Sequence, residues 1–275
     1  MTAAPRLTTG IEGLDEMLKG GLIPGRPYLL SGSVGSGKTT LGIQFLQQGV
    51  KQGERALFVS IDEPPVEVRE NVRSLGWDVG KIRILDVHPS AKAYSKKVSM
   101  VEVGAQRSVG SLREATTDGK AEAMKQASPD LSAQTLQMML RQELSETRYS
   151  RVVIDSLTSL RRLTNLEEDP EMSINSLLRF LSEAGVTAII VADFPDPTRL
   201  DIESFVCRGE IRLHKVMASS RIERFITVEK IRGSAHDTMP RPMTISGAGI
   251  TVASKRKVSP TVLKALQAVP TVYVR

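Results

Sequence analysis

Residues Gly32-Ser33-Val34-Gly35-Ser36-Gly37-Lys38-Thr39 match the full phosphate-binding P-loop pattern. Its glycines let the chain curl so that successive backbone N–H groups point inward at phosphate oxygens. A helix N-terminus at the same place adds partial positive charge. Lys38 would reach the β- and γ-phosphates of a nucleoside triphosphate, and the Thr39 hydroxyl would serve a Mg²⁺ site. Thr40, next along the helix, completes the candidate nucleotide-binding set. Such a loop alone gives binding. Hydrolysis also needs a second acidic group for the metal, a base for water and positive charge on the γ-phosphate. Asp155 ends the apolar run Val152-Val153-Ile154, the Walker B arrangement, in which a carboxylate at a strand's C-terminal edge faces the phosphates. Asp62-Glu63 follows another apolar run, one strand–helix unit after the loop, where a carboxylate can orient and deprotonate water. The same pair precedes Pro64, which is also a good helix start, so one residue can cap while the other acts.

The neighbouring elements suit these roles. Pro27-Tyr28-Leu29-Leu30-Ser31 reads as a buried strand leading into the loop, and residues 39–48, with Leu41, Ile43, Phe45 and Leu46, read as the helix leaving it. Apolar runs at 56–61, 82–86, 151–155 and 186–191 suit a parallel sheet covered on both faces. Helices are expected from about Asp130 and around 172–184, the latter with Ile174, Leu177, Leu178 and Leu181 on one side. Beyond Val191, residues 210–216, 221–231 and 243–252 alternate as antiparallel strands do, and Gly247-Ala248-Gly249 can turn the last of them into a hairpin. The expected organisation is one α/β domain over 1–252, a surface insertion at about 92–128, poor in large apolar residues, and a basic tail over 253–275. That tail carries Lys255, Arg256, Lys257, Lys264 and Arg275 with no acidic residue, which accounts for most of the net charge of +6. Basic tails are usually solvated.

Composition limits the class. At 275 residues with 40% hydrophobic and 25% charged residues, the chain has the means for a well-buried core. One cysteine excludes a disulfide framework and any cysteine-based metal site, and fits a reducing compartment. No apolar run reaches membrane-spanning length, so the expectation is a cytoplasmic protein without membrane insertion.

The stretch from Leu7-Thr8-Thr9-Gly10-Ile11-Glu12-Gly13-Leu14-Asp15 through Gly20-Gly21-Leu22-Ile23-Pro24-Gly25 into the P-loop resembles the RecA superfamily. With Asp62-Glu63, Asp155-Ser156-Leu157-Thr158-Ser159-Leu160 and Glu229-Lys230-Ile231-Arg232-Gly233-Ser234-Ala235-His236, it looks most like a single-domain KaiC-like ATPase. The likeness covers most of the chain apart from the insertion and the tail. It implies a RecA-like fold with a mainly parallel sheet and a C-terminal antiparallel extension, ATP and Mg²⁺ as ligands, and slow hydrolysis. Asp62 and Glu63 fall on the family's catalytic acidic pair, more often two glutamates. Lys230 and Arg232 fall on a basic pair that the family inserts into the neighbouring subunit's site, acting as an arginine finger does. His236 falls on a position near the nucleotide, whereas His88 and His214 have no such support and read as structural. A working site then needs a homo-oligomer, expected to be a hexameric ring, serving as a nucleotide-dependent switch or scaffold for an unidentified partner protein.

Two departures stand out. Glu203-Ser204 occupies the place of an autophosphorylated Ser-Thr pair in members with two such units, which argues against a two-site autokinase. Ala192-Asp193 stands where the superfamily offers a polar γ-phosphate-sensing residue. Two other readings compete. The basic tail and insertion suit a recombinase-like DNA-binding ATPase, although 4% aromatic content is thin for stacking on single strands. Ser204 is the local argument for an autokinase.

Overall fold

Runs this apolar cannot leave a face in water, and in the computed structural model they pair side by side. The structure describes residues 5–74, 76–88, 131–163, 170–193, 202–218 and 221–267. Strands β1 (Pro27–Gly32), β2 (Ala56–Ser60), β3 (Arg83–Asp86), β4 (Arg151–Asp155) and β5 (Thr187–Ala192) lie parallel. Every residue of β1, β2 and β5 is buried, as strands covered on both faces require. β6 (Gly209–Ala218) continues parallel to β1, and β7 (Arg221–Ile231), β8 (Arg241–Ser246) and β9 (Gly249–Val252) then turn antiparallel. Among the described residues the sheet has nine strands in the order β3-β2-β4-β5-β1-β6-β7-β8-β9. The P-loop strand therefore sits centrally, its C-terminal end flanked by β5 and β6.

Alternation along the strands builds two cores. Val153 and Ile189 face helices α1 (Glu12–Met17), α2 (Lys38–Lys51) and α3 (Pro65–Ser74), where Leu14, Phe45 and Val68 meet them in one cluster. Val152, Ile154 and Ile190 face the other way, onto α4 (Ala133–Glu146), α5 (Leu157–Leu163) and α6 (Pro170–Glu183) through Leu136, Leu157 and Leu177. The helices expected near 130 and 172–184 are thus present. α4 starts where Ser132 Oγ accepts the Thr135 N–H at 3.1 Å, an N-cap that satisfies an otherwise unpaired donor. The glycine pattern near the end makes a two-residue hairpin loop, with Ser246 opposite Gly249. A short helix α7 (Ile202–Val206) precedes β6. The insertion expected at about 92–128 lies outside the described residues.

Part of the tail behaves differently from the solvated segment its charges suggest. Residues 260–267 form helix α8 (Pro260–Gln267), whose Val262 and Leu266 are buried against Phe225, with Val216 and Val258 packed beside them. The apolar positions, spaced one helical turn apart, outweigh the cations, which remain on the wet side.

One charge is wholly interior. Arg151 opens β4 with no exposed surface, donating from Nε to Glu54 Oε2 (2.5 Å), from Nη1 to the Thr8 and Phe45 carbonyls (2.7 and 2.9 Å) and from Nη2 to Gln52 Oε1 (2.7 Å). Its guanidinium also lies 4.8 Å from the centre of the Phe45 ring. It ties the N-terminal segment to α2 and β4. Arg151→Met leaves the Thr8 and Phe45 carbonyls without their donor, while Glu54 and Gln52 keep access to water, and should lower unfolding free energy by about 1–3 kcal/mol. Chemical denaturation checks this, and an unchanged midpoint would show the network to be dispensable.

Candidate functional site

The sheet brings three strand ends to one edge. β1 stops at Gly32, the chain curls through residues 33–37, and α2 begins at Lys38. Gly37 holds the N-cap in the left-handed region (φ 105°), and no side chain caps the helix. A Cβ there would meet only the movable end of Ile245, so the positive φ is what calls for glycine. The first N–H groups of a 14-residue helix are thus left without a side-chain cap, and no acidic residue sits in the first turn. Ser36 Oγ is buried beside the loop with no hydrogen-bond partner among the described residues. A phosphate cradle fits these features. Lys38 Nζ folds back over the loop and donates to the Gly32 carbonyl (2.6 Å), the Ser33 carbonyl (3.2 Å) and Asp193 Oδ1 (3.1 Å).

The acidic residues gather at the same edge. Thr39 Oγ1 donates to Asp155 Oδ2 at 2.7 Å, bringing together the hydroxyl and carboxylate expected to serve Mg²⁺. Burial is the largest influence on the Asp155 carboxyl and pushes its pKa up to about 6. The Thr39 bond and Lys38 oppose the shift, while the Asp62 and Glu63 charges add to it. A buried carboxylate crowded by two others is a place where a cation is favoured. The donors are hard oxygens, and Mg²⁺ binds through one or two protein groups plus phosphates and water. The described residues contain no group of three or more His, Cys, Asp or Glu side chains fit to hold a metal by themselves. The fit is therefore to a metal shared with a phosphate ligand.

Asp62 and Glu63 diverge. Asp62 is exposed and accepts the Ser156 hydroxyl at Oδ2 (3.1 Å), next to Asp155. Glu63 is half-buried, accepts from Asn71 Nδ2 at 3.1 Å, and lines a cavity of about 220 Å³ with Thr39, Thr40, Ile43 and Trp77. Helix α3 starts at Pro65, just after the pair.

Lys230, Arg232 and His236 lie elsewhere. Lys230 pairs with Glu210, which pairs with Leu29, and the Arg232 N–H donates to the Arg208 carbonyl while Arg208 in turn bonds Pro27. Lys230 and Arg232 thus sit toward the start of β1, whereas the P-loop leaves its end. At about 3.3 Å per residue, Lys230, level with Leu29, lies three steps or about 10 Å along the strand from Gly32, and Arg232, tied through Arg208 to Pro27, lies five steps or about 17 Å from it. Lys230 Nζ donates to the Ser204 carbonyl and Arg232 Nη2 to the Phe205 carbonyl (2.7 Å), both on α7. Burial, then the nearby Arg232 charge, lowers the pKa of Lys230. Both ring nitrogens of His236 are buried without a partner among the described residues. His214, read as structural, bonds Thr227 Oγ1 through Nε2 (2.9 Å), and burial lowers its pKa to about 4, which keeps it neutral. The backbone N–H of His88 donates to Asp86 Oδ1 at 3.0 Å.

Three cations escaped the sequence reading. Lys215 Nζ donates to the Val34 carbonyl (2.5 Å) and Arg224 Nη2 approaches the Gly35 carbonyl (3.5 Å), both at the P-loop tip. Arg162 Nη2 lies 3.8 Å from Asp193 Oδ2. Lys215 and Arg224 occupy ordinary polar positions of alternating strands, and the one available clue was their distance along the strand from the residues that pair with β1.

Comparison with known proteins gives the family and the fold. The KaiC ATPase family model matches residues 7–257. A UPF0273 protein of Pyrococcus horikoshii is 33% identical over 253 residues, covering 90% of this chain and 93% of that protein. The circadian clock oscillator protein KaiC of Synechococcus elongatus is 30% identical over 261 residues, covering 91% of this chain but 44% of that protein. The chain thus spans less than half the length of the clock protein. The crystal structure of a KaiC-like protein from Pyrococcus horikoshii superposes with a TM-score of 0.71 at 26% identity, covering 91% of this chain and 99% of that one. With the RecA-like sheet in place and the family model spanning nearly the whole sequence, the chain belongs to the KaiC ATPase family.

Proposed function

We propose that this chain is an ATP-binding and ATP-hydrolysing ring ATPase whose active sites are completed across subunit interfaces. It would act in the cytoplasm as a nucleotide-dependent switch or scaffold for a partner protein. The observation that carries this reading is the placement of Lys230 and Arg232 at the sheet edge opposite the P-loop of the same chain. The Arg232 side chain does not cross that distance, so a finger role for this pair calls for a second copy set head-to-tail, a heterologous contact that gives a ring where its rotation closes.

Within one site, Lys38 and the α2 N-terminus bind the phosphates, and Glu63 orients and deprotonates water from its cavity beside Thr39. Thr39 and Asp155 would hold Mg²⁺, which supplies charge neutralisation on the β- and γ-phosphate oxygens. Lys230 and Arg232 of the adjoining copy would balance charge on the transferring group. No helix among the described residues is long and apolar enough to cross a membrane, which suits this setting.

Native mass measurement tests the assembly. With ATP and Mg²⁺ the 30.0 kDa chain should form a closed ring, a hexamer giving about 180 kDa, and without nucleotide it should shift toward smaller species. A monomer under both conditions would remove the trans site and the proposal with it.

A further inference from the structure

Asp193 lies directly after β5, where its backbone N–H donates to Thr158 Oγ1 at 2.8 Å, fixing the main chain against α5. Its two carboxylate oxygens have different partners. Oδ1 sits 3.1 Å from Lys38 Nζ, and Oδ2 sits 3.8 Å from Arg162 Nη2. Thr158 and Arg162 are four residues apart on α5, so one helix face holds the Asp193 main chain and offers a cation to its side chain. The Lys38 side chain is 11% exposed, Asp193 36% and Arg162 74%, so the carboxylate stands between a shielded cation and an open one.

We propose that Asp193 takes the place of the γ-phosphate on Lys38 while no triphosphate is bound, and that Arg162 receives its carboxylate when one arrives. The pair then sets how strongly the site prefers a nucleoside triphosphate over the diphosphate. This rests on the nucleotide site proposed above and adds a selectivity device to it. The physics is competition between anions for one ammonium. A γ-phosphate carries more charge than a carboxylate, so it displaces Asp193 from Lys38, and leaving both anions on one cation is unfavourable. A diphosphate offers Lys38 its β-phosphate alone and so competes with Asp193 less. Asp193 therefore opposes triphosphate binding selectively, and Arg162 offsets part of that opposition by stabilising the displaced carboxylate.

Calorimetric titration with ADP and with a non-hydrolysable ATP analogue, in Mg²⁺, tests this. Asp193→Asn should tighten the triphosphate analogue about tenfold, the order expected of a partly shielded charge contact, and leave ADP within about twofold. Arg162→Gln should weaken the analogue by about three- to fivefold, in keeping with an exposed partner, again sparing ADP. The double variant should match Asp193→Asn, because Arg162 has no role without the carboxylate. ADP binding also reports that each variant is folded. A weaker analogue affinity in Asp193→Asn would overturn the proposal by making Asp193 part of the metal or water contacts. Equal shifts for both nucleotides would reduce it to general electrostatics, and strictly additive single effects would remove the link to Arg162. Failure of the native chain to bind either nucleotide would instead bring down the site itself.

Discussion

Glu63→Gln protein is expected to bind ATP as the native chain does and to hydrolyse it roughly 100-fold or more slowly. The substitution keeps the shape and the bond to Asn71 while removing the base, and it leaves Lys38 and the Thr39–Asp155 pair untouched. Asp62→Asn provides the contrast. Asp62 stands in the open, against Ser156, and belongs to the group of carboxylates around Asp155. Its loss should act on turnover less than the loss of Glu63. Single-turnover kinetics beside equilibrium binding separates the two. Normal turnover in Glu63→Gln with a loss in Asp62→Asn reverses the roles and leaves Glu63 as a support for α3. Normal turnover in both makes the pair structural.

The second large effect is restoration of activity by mixing two inactive proteins. Arg232→Ala chains keep their own P-loop and should bind ATP yet hydrolyse it poorly. Lys38→Ala chains lack a working P-loop but keep Arg232 on the far edge of the sheet. At random equal mixing, roughly a quarter of head-to-tail interfaces join an intact P-loop to an intact finger, since each half has odds of about one in two. Activity should therefore return in part. No recovery, in rings shown by mass to contain both variants, would mean that Arg232 acts within its own chain or not at all. The geometry makes action within the chain hard to sustain, because Arg232 is spent on the Phe205 carbonyl at the wrong end of β1.

What was legible in the sequence was local. The P-loop announces itself by glycine spacing between a strand and a helix, and Asp155 by its place at the end of an apolar run. The Thr39–Asp155 contact joins residues 116 positions apart, yet two motifs of known strand position were enough to anticipate it. Register and strand order were not legible. That Lys230 stands level with Leu29, and so away from the loop, depends on β6 lying between β1 and β7. The hold of Lys215 and Arg224 on the loop tip depends on the same pairing. Asp193 was visible as an unusual residue, but its grip on Lys38 follows from β5 adjoining β1. In the tail the cations are conspicuous, whereas the burial that makes helix α8 depends on the sparser spacing of Val262 and Leu266 and on Phe225 from a distant strand.

The central position of β1 also governs the order in which the molecule is made. β1 leaves the ribosome well before its partners: Pro27 pairs with Ala188 and Tyr28 with Gly209. Contacts so distant in sequence carry a large loop-closure cost and form slowly. Until β5 and β6 have emerged, the apolar strand feeding the P-loop has neither neighbour, and the nascent chain carries an exposed sticky segment. Nucleotide binding therefore cannot assist early stages of synthesis. It becomes available only once the chain has passed Leu213, the residue paired with Gly32, so ATP can act as a folding ligand for the finished domain and not for its fragments.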